Sequence, residues 1–158
     1  MSHAAAIAIS DLHTTRASAL ARATLTVTTS GEGFVEITDA VARFLQQIKA
    51  RDGAVLLYLR HTSASLVIQE NADPDVQTDL VSALRRVAPA DAGWVHRTEG
   101  PDDMPAHIKA MLNGVSLSIP VLAGKMALGT WQGIYVAEHR ARAHRRQVIV
   151  QFIGECDA

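Results

Sequence analysis

Apolar residues recur along this chain in two periods, and the switches between them outline its elements. From Thr24 to Thr29 β-branched and apolar residues alternate, Ser30-Gly31-Glu32-Gly33 supplies turn chemistry, and Phe34 to Ile37 extends again. This spacing predicts a hairpin. At Asp39 the period lengthens: Val41, Phe44, Leu45 and Ile48 form one helical stripe, with Thr38 placed to cap the first turn and Gly53 to end a helix that runs to Arg51. An unbroken apolar strand, Ala54 to Leu59, is followed by an alternating one, His61 to Gln69. In the second strand His61, Ser63, Ser65 and Val67 fall on one face, and Thr62, Ala64, Leu66 and Ile68 on the other.

Asp73-Pro74 reads as an N-cap followed by proline at the first helical position, and Val76, Leu80, Leu84 and Val87 continue as a stripe expected to be buried. Pro89 stops that helix. After an irregular polar stretch to Pro101, Asp102 and Asp103 supply acidic capping for a short helix to Leu112, which Asn113-Gly114 closes. Strands are predicted over Val115 to Val121, Met126 to Trp131, Ile134 to Glu138 and Gln147 to Ile153, with turns at Ala123-Gly124 and around Arg140 to Arg146. Two to three helices set between runs of strands, without regular βαβ alternation, specify an α+β fold with mixed or antiparallel sheets. Residues 1–22 show no sustained period and read as a flexible N-terminal extension, which leaves one domain over 23–158.

Composition fits that picture. The chain has 158 residues, of which 48% are hydrophobic and 20% charged, enough apolar side chain for one core. With 15 Lys and Arg against 16 Asp and Glu, no overall cationic field exists to attract nucleic acid or an anionic membrane, so recognition of a charged partner must be local. Cys156 is the single cysteine, so no intrachain disulfide can form. The first ten residues lack a basic start and a signal-peptide core, and no apolar run approaches the roughly 20 residues that span a bilayer. The expected location is the cytoplasm.

Three stretches concentrate chemistry. In the first, His61-Thr62-Ser63-Ala64-Ser65 leads to Glu70-Asn71-Ala72-Asp73-Pro74-Asp75, a strand entering a helix N-terminus where amides can hold an anion and Asn71 or the acids a cation. The second runs from His96 through Glu99, Asp102, Asp103 and His107 to Lys109. Its density of ionisable groups is costly unless they meet one another or a ligand. In the third, Leu128-Gly-Thr-Trp-Gln132 is followed by Glu138-His-Arg140 and a basic run to Arg146. Trp131 and Tyr135 read as core or interface anchors, Arg140 as a partner of Glu138 or of a phosphate, and Arg142 to Arg146 as a solvated turn. Interleaved aromatics and a broad basic face, which an RNA surface needs, are lacking.

Taken together from Thr24 to Glu155, these stretches closely resemble the YjbQ-like family, which is associated with a secondary thiamine-phosphate synthase activity. The resemblance implies an α+β domain assembled as a homotrimer, with a polar pocket near subunit contacts, in which Thr130, Trp131 and Gln132 form a site wall or an interface. It also implies a transferase that displaces pyrophosphate from a hydroxymethylpyrimidine diphosphate by the nitrogen of a thiazole phosphate. The site expected for a small phosphorylated metabolite comprises His61, His96, Glu99, Asp103 and His107 as catalytic groups. Thr62, Ser63, Asn71, Lys109, Gln132 and Arg140 are the expected substrate and phosphate ligands, with a divalent ion, Zn or Mg, to stabilise the leaving group. Two alternatives stand beside it: a hydrolase whose zinc is held by His61, His96 and His107, and a non-catalytic trimer that binds a phosphorylated ligand.

Overall fold

The computed structural model describes residues 9–157, so the part of the predicted extension that precedes residue 9 lies outside the described residues. Eight strands and three helices follow one another as β1 (Ala19–Thr29), β2 (Gly33–Glu36), α1 (Thr38–Gln47), β3 (Ala50–Leu59), β4 (Ala64–Glu70), α2 (Pro74–Val87), α3 (Asp103–Asn113), β5 (Ser116–Leu122), β6 (Lys125–Met126), β7 (Gln132–Glu138) and β8 (His144–Cys156). They form a five-stranded sheet in the order β1-β8-β3-β5-β6 and a three-stranded sheet in the order β2-β7-β4, and every pairing is antiparallel. The α+β expectation holds. No helix among the described residues is long and apolar enough to cross a membrane.

The sheets stack face to face. Val55, Leu57, Leu59, Val148, Val150 and Phe152 from the larger meet Leu66, Ile134 and Val136 from the smaller, and Val41, Phe44 and Leu45 of α1 close the side. Because side chains alternate along a strand, Ser65, Tyr135 and Ala137 point out of this core onto the opposite face of the small sheet, where α2 packs on β2 and α3 on β4. That second layer, between small sheet and helices, holds Ser65, Asp103, Lys109, His139 and Arg140, while Glu138 is buried on the other face against Thr29 and Arg146 of the large sheet.

Several local predictions are corrected by pairing that no local pattern records. β1 and β2 do not form a hairpin: β1 pairs with β8 from Ala19 onward, and β2 pairs with β7 in the other sheet. The first strand therefore takes in residues read as extension. α1 ends at Gln47, and Gly53 lies inside β3 at a bulge against β8, where a Cβ would sit 2.3 Å from the Ile153 carbonyl oxygen. Thr38 does not cap its own helix. Its hydroxyl donates to Glu36 Oε1 at 2.7 Å and accepts from the Ile134 amide at 2.9 Å, tying α1 to β7.

Asp73 does cap α2, accepting from the Asp75 amide at 2.9 Å, but no residue of that helix is fully buried and Val87 is exposed. The apolar stripe lies at the margin of the core. The strand predicted to reach Trp131 stops at Met126, and Trp131 is 64% exposed, so it anchors no core of this chain, whereas Tyr135 is buried edge-on to Phe34. Ala123-Gly124 makes the expected turn between β5 and β6, both with positive φ.

Candidate metal centre and adjoining cleft

Asp103 opens α3, and its carboxylate, 2% exposed, is the hub of the site. Arg140, delivered by the end of β7, holds Oδ1 through Nη1 and uses Nε to bind Asp102 Oδ2 at 3.0 Å and Nη2 to bind the Glu99 carbonyl at 2.8 Å. The other oxygen, Oδ2, faces His96 Nε2 at 2.7 Å and His107 Nε2 at 3.2 Å. His107 is one helical turn after Asp103, so the i, i+4 spacing brings these two side chains together, while His96 arrives from the irregular loop before α3. Burial works against the charge of Asp103, yet the hydrogen bond from His96 and the field of Arg140 outweigh it, and its carboxyl ionises below the ordinary range. Arg140, though burial opposes its charge as well, is held above its usual value by Asp102 and Asp103.

The tautomer of His107 decides what this cluster can do. Its Nδ1 lies 3.0 Å from the Thr62 carbonyl oxygen, which can only accept, so Nδ1 bears a proton. In the neutral ring Nε2 is then a lone pair aimed at a carboxylate oxygen. Two acceptors at this separation need a cation between them, either a second proton or a metal ion. His96 Nε2, Asp103 Oδ2 and His107 Nε2 all lie within 4.8 Å of one another. Two imidazoles and one carboxylate with open positions suit zinc and similar ions, which take nitrogen donors, better than magnesium, which prefers oxygen and water. A carbonyl on the far nitrogen of a ligating imidazole is the usual second-shell support. Both histidines remain partly open to solvent, at 41% and 35% of their side chains, so a ligand has access.

His61 does not join this group. Its Nε2 accepts the Gln147 amide at 3.0 Å, which leaves the proton on Nδ1 and removes Nε2 as a ligand. Burial, followed by the charge of Arg146, lowers its pKa and favours the neutral form. The group that could hold an ion thus contains Asp103 and not His61. His61 and His107 nevertheless line one cleft of about 680 Å3, together with Tyr58, Arg60, Thr62 and Met111.

The expected phosphate ligands divide. Thr62 lines the cleft, and its carbonyl orients His107. The Ser63 hydroxyl instead accepts from Arg146 Nη2 at 3.1 Å in the interior. Lys109 is buried and bonded to Glu32, Arg140 is committed to Asp102, Asp103 and the Glu99 carbonyl, and neither lines the cleft, so neither is placed to meet a substrate there. Glu99 itself is exposed, 3.8 Å from Arg140. Asn71 and Gln132 lie at the opposite ends of their strands from the histidines. Glu70 pairs with Gln132 and Ala64 with Glu138, and six residue steps at roughly 3.4 Å put about 20 Å between the two ends. Glu138 pairs with Arg146 rather than with the Arg140 guanidinium, and Arg146 is buried, not part of a solvated turn.

One residue missed by the sequence reading is Arg60. It borders the cleft, and among the described residues its guanidinium has no ion-pair partner. It precedes His61 directly, but nothing in a one-residue step along an extended segment says that both reach one hollow.

The comparisons with known proteins agree on family and fold. Residues 23–155 match the family described as UPF0047 protein YjbQ-like. A UPF0047 protein of Synechocystis sp. is 45% identical over 132 residues, 83% of this chain and 90% of that one, and UPF0047 protein YjbQ of Salmonella typhimurium is 42% identical over 133 residues, 84% and 96%. A 1.31 Å crystal structure of an uncharacterised conserved protein of the YjbQ/UPF0047 family from Clostridium acetobutylicum, 38% identical, superposes with a TM-score of 0.78 over 83% of this chain and 99% of that one.

Proposed function

This chain belongs to the UPF0047 family of YjbQ-like proteins, and from that premise we propose that it is a cytoplasmic, metal-dependent enzyme that hydrolyses a small phosphorylated metabolite. The observation that carries this reading is the placement of His96 Nε2, Asp103 Oδ2 and His107 Nε2 within 4.8 Å, with His107 locked by the Thr62 carbonyl. A divalent ion there supplies Lewis-acid chemistry and activates water near neutral pH. The chain supplies the rest. Arg60 meets the anionic end of the substrate in the cleft, His61 offers a fixed Nδ1–H donor, and Glu99, exposed beside the centre, accepts a proton. Arg140 acts through Asp103, holding Oδ1 so that Oδ2 stays aimed at the imidazoles.

The transferase reading keeps a place, because pyrophosphate departure also needs cations at a metal-assisted site, but neither Lys109 nor Arg140 lines the cleft, which favours hydrolysis. The homotrimer implied by family likeness is supported by the outer face of the large sheet, where Leu20 and Tyr58 are exposed.

Titration of metal-stripped protein with Zn2+ tests the centre. We expect one ion per chain, with affinity reduced by at least a hundredfold in Asp103→Asn and His107→Ala, and little effect of His61→Ala. Turnover of phosphate monoesters and of thiamine precursors is then measured on the loaded protein. Stoichiometric zinc with saturable binding but no turnover of either set makes the chain a ligand-binding protein, and unchanged zinc affinity in Asp103→Asn removes the centre itself.

A further inference from the structure

The glycine-flanked turn after β1, the end of α2, α3 and the end of β7 enclose a second cavity of about 300 Å3, which shares no lining residue with the cleft. At roughly 30 Å3 per water it has room for about ten waters, or for one small organic acid or phosphate. Its walls carry five polar side chains: Glu32, Arg85, Asp102, Lys109 and His139. Both acids are already engaged. Glu32 accepts from Lys109 and, at 2.6 Å, from Arg85 Nε, while Asp102 accepts from Arg140 at 3.0 Å and from the Ala141 amide at 2.9 Å.

The donors are not used up. His139 is 3% exposed, and its Nε2 lies 2.8 Å from the hydroxyl of Ser65, which is fully buried. Among the described residues Ser65 has no other partner, so a hydroxyl that withheld its proton from this nitrogen would leave a buried donor unmade. Ser65 therefore donates to Nε2, and the imidazole proton sits on Nδ1. That N–H has no partner among the described residues and belongs to a side chain that lines the cavity. The Lys109 ammonium has three protons and the Arg85 guanidinium five, and each has one bond accounted for here. Formal charge over the lining balances, Lys109 and Arg85 against Glu32 and Asp102, and what remains in excess is hydrogen-bond donors. Spare donors on two cations and one imidazole call for a ligand rich in acceptors.

We propose that this cavity is a second binding site, separate from the metal centre, for a small oxyanion such as a phosphate or carboxylate group, received by the His139 Nδ1–H, Lys109 and Arg85. Glu32, carried on a turn between Gly31 and Gly33, already places one carboxylate against both cations and shows the chemistry they accept. The inference does not depend on the hydrolase reading, since no ligand of the metal centre lines this cavity.

Calorimetric titration of the full chain in chelator-treated buffer at pH 7.5, with inorganic phosphate and separately with malonate, tests it. We expect saturable binding of at least one of the two, weakened about tenfold in Arg85→Gln, the loss of one charge-assisted hydrogen bond, and unchanged in His107→Ala. Phosphate alone binding identifies a phosphoryl site, and malonate alone a carboxylate site. Imidazole 1H–15N correlation spectra give a second reading: His139 is expected as the Nδ1–H tautomer, with its Nδ1 resonance moving on saturation. No saturable heat with either anion, an affinity indifferent to Arg85→Gln or abolished by His107→Ala, or an Nε2–H tautomer overturns the proposal.

Discussion

Two buried carboxylates, each held by an arginine, lie on opposite faces of the small sheet, Glu138 towards the large sheet and Asp103 towards the helices, and they do different things. Glu138, at the end of β7, is closed: it accepts from Arg146 Nε at 2.7 Å and Nη2 at 2.5 Å, from the Arg140 amide at 3.0 Å and from the Thr29 hydroxyl at 2.8 Å. Every hydrogen-bond partner is itself interior or backbone. Asp103 is open, because its second oxygen faces two imidazoles that reach solvent and can take a proton or a metal ion. Burial and ion pairing are common to both, so neither marks a functional site. What does is a network that ends in exchangeable groups at the surface.

The largest expected effect separates the two. Glu138→Gln leaves the Arg146 guanidinium, 3% exposed, without its counter-charge, and a broken buried pair of this kind costs about 3–5 kcal/mol. Urea unfolding should register that loss, while zinc affinity of the folded fraction stays within a factor of two or so of wild type. A Glu138→Gln protein of normal stability that binds no zinc would invert the roles assigned here.

Acid provides the next effect. Burial, followed by the charge of Lys109, lowers the His139 pKa to about 4 from an ordinary 6.5. Between those values the unfolded chain binds the proton that the folded chain refuses, so stability falls as pH drops from 6.5 towards 4. The size is on the order of 3 kcal/mol for this group, and little more is lost below pH 4 from this source. Asp103 and Glu138, whose pKa values lie below the ordinary carboxylate range, add their own loss at lower pH still. Unfolding free energies measured from pH 7 to pH 4 in wild type and His139→Gln check this, and parallel curves would remove His139 as the cause.

The smallest effect concerns the far end of the small sheet. Asn71 and Gln132 are exposed, so Asn71→Ala and Gln132→Ala should each change stability by no more than about 1 kcal/mol and leave zinc affinity unaltered in the monomeric chain. Loss of zinc binding in Gln132→Ala would mean that a second copy of the chain brings that end to the metal centre.

Much of the polar site was legible in the sequence. The dense stretch from His96 to Lys109 contains all three metal-capable side chains, and the i, i+4 step from Asp103 to His107 is a property of any helix begun at Asp103. The alternation that set Ser65 apart from Ala64 and Leu66 also held, since those two are core and Ser65 faces the helices. His61 misled for a specific reason. Its nitrogen is claimed by the amide of Gln147, a residue 86 positions away on β8, and spacing along the chain has no access to that bond. Lys109 and Arg140 misled in the same way, because Glu32, Asp102 and Asp103 neutralise them across 77, 38 and 37 positions respectively.

Local chemistry determined what local forces decide: where α2 and α3 begin and end, which strand face is apolar, that one cysteine makes no bridge, and which residue types crowd the loop before α3. Partnering was left to the tertiary structure. Whether β1 joins β2 or β8, which acid neutralises which cation, and which imidazole nitrogen remains free all depend on contacts between distant segments. Those contacts form because burying two sheet faces and satisfying each buried charge are requirements on the whole chain, met only once it has folded.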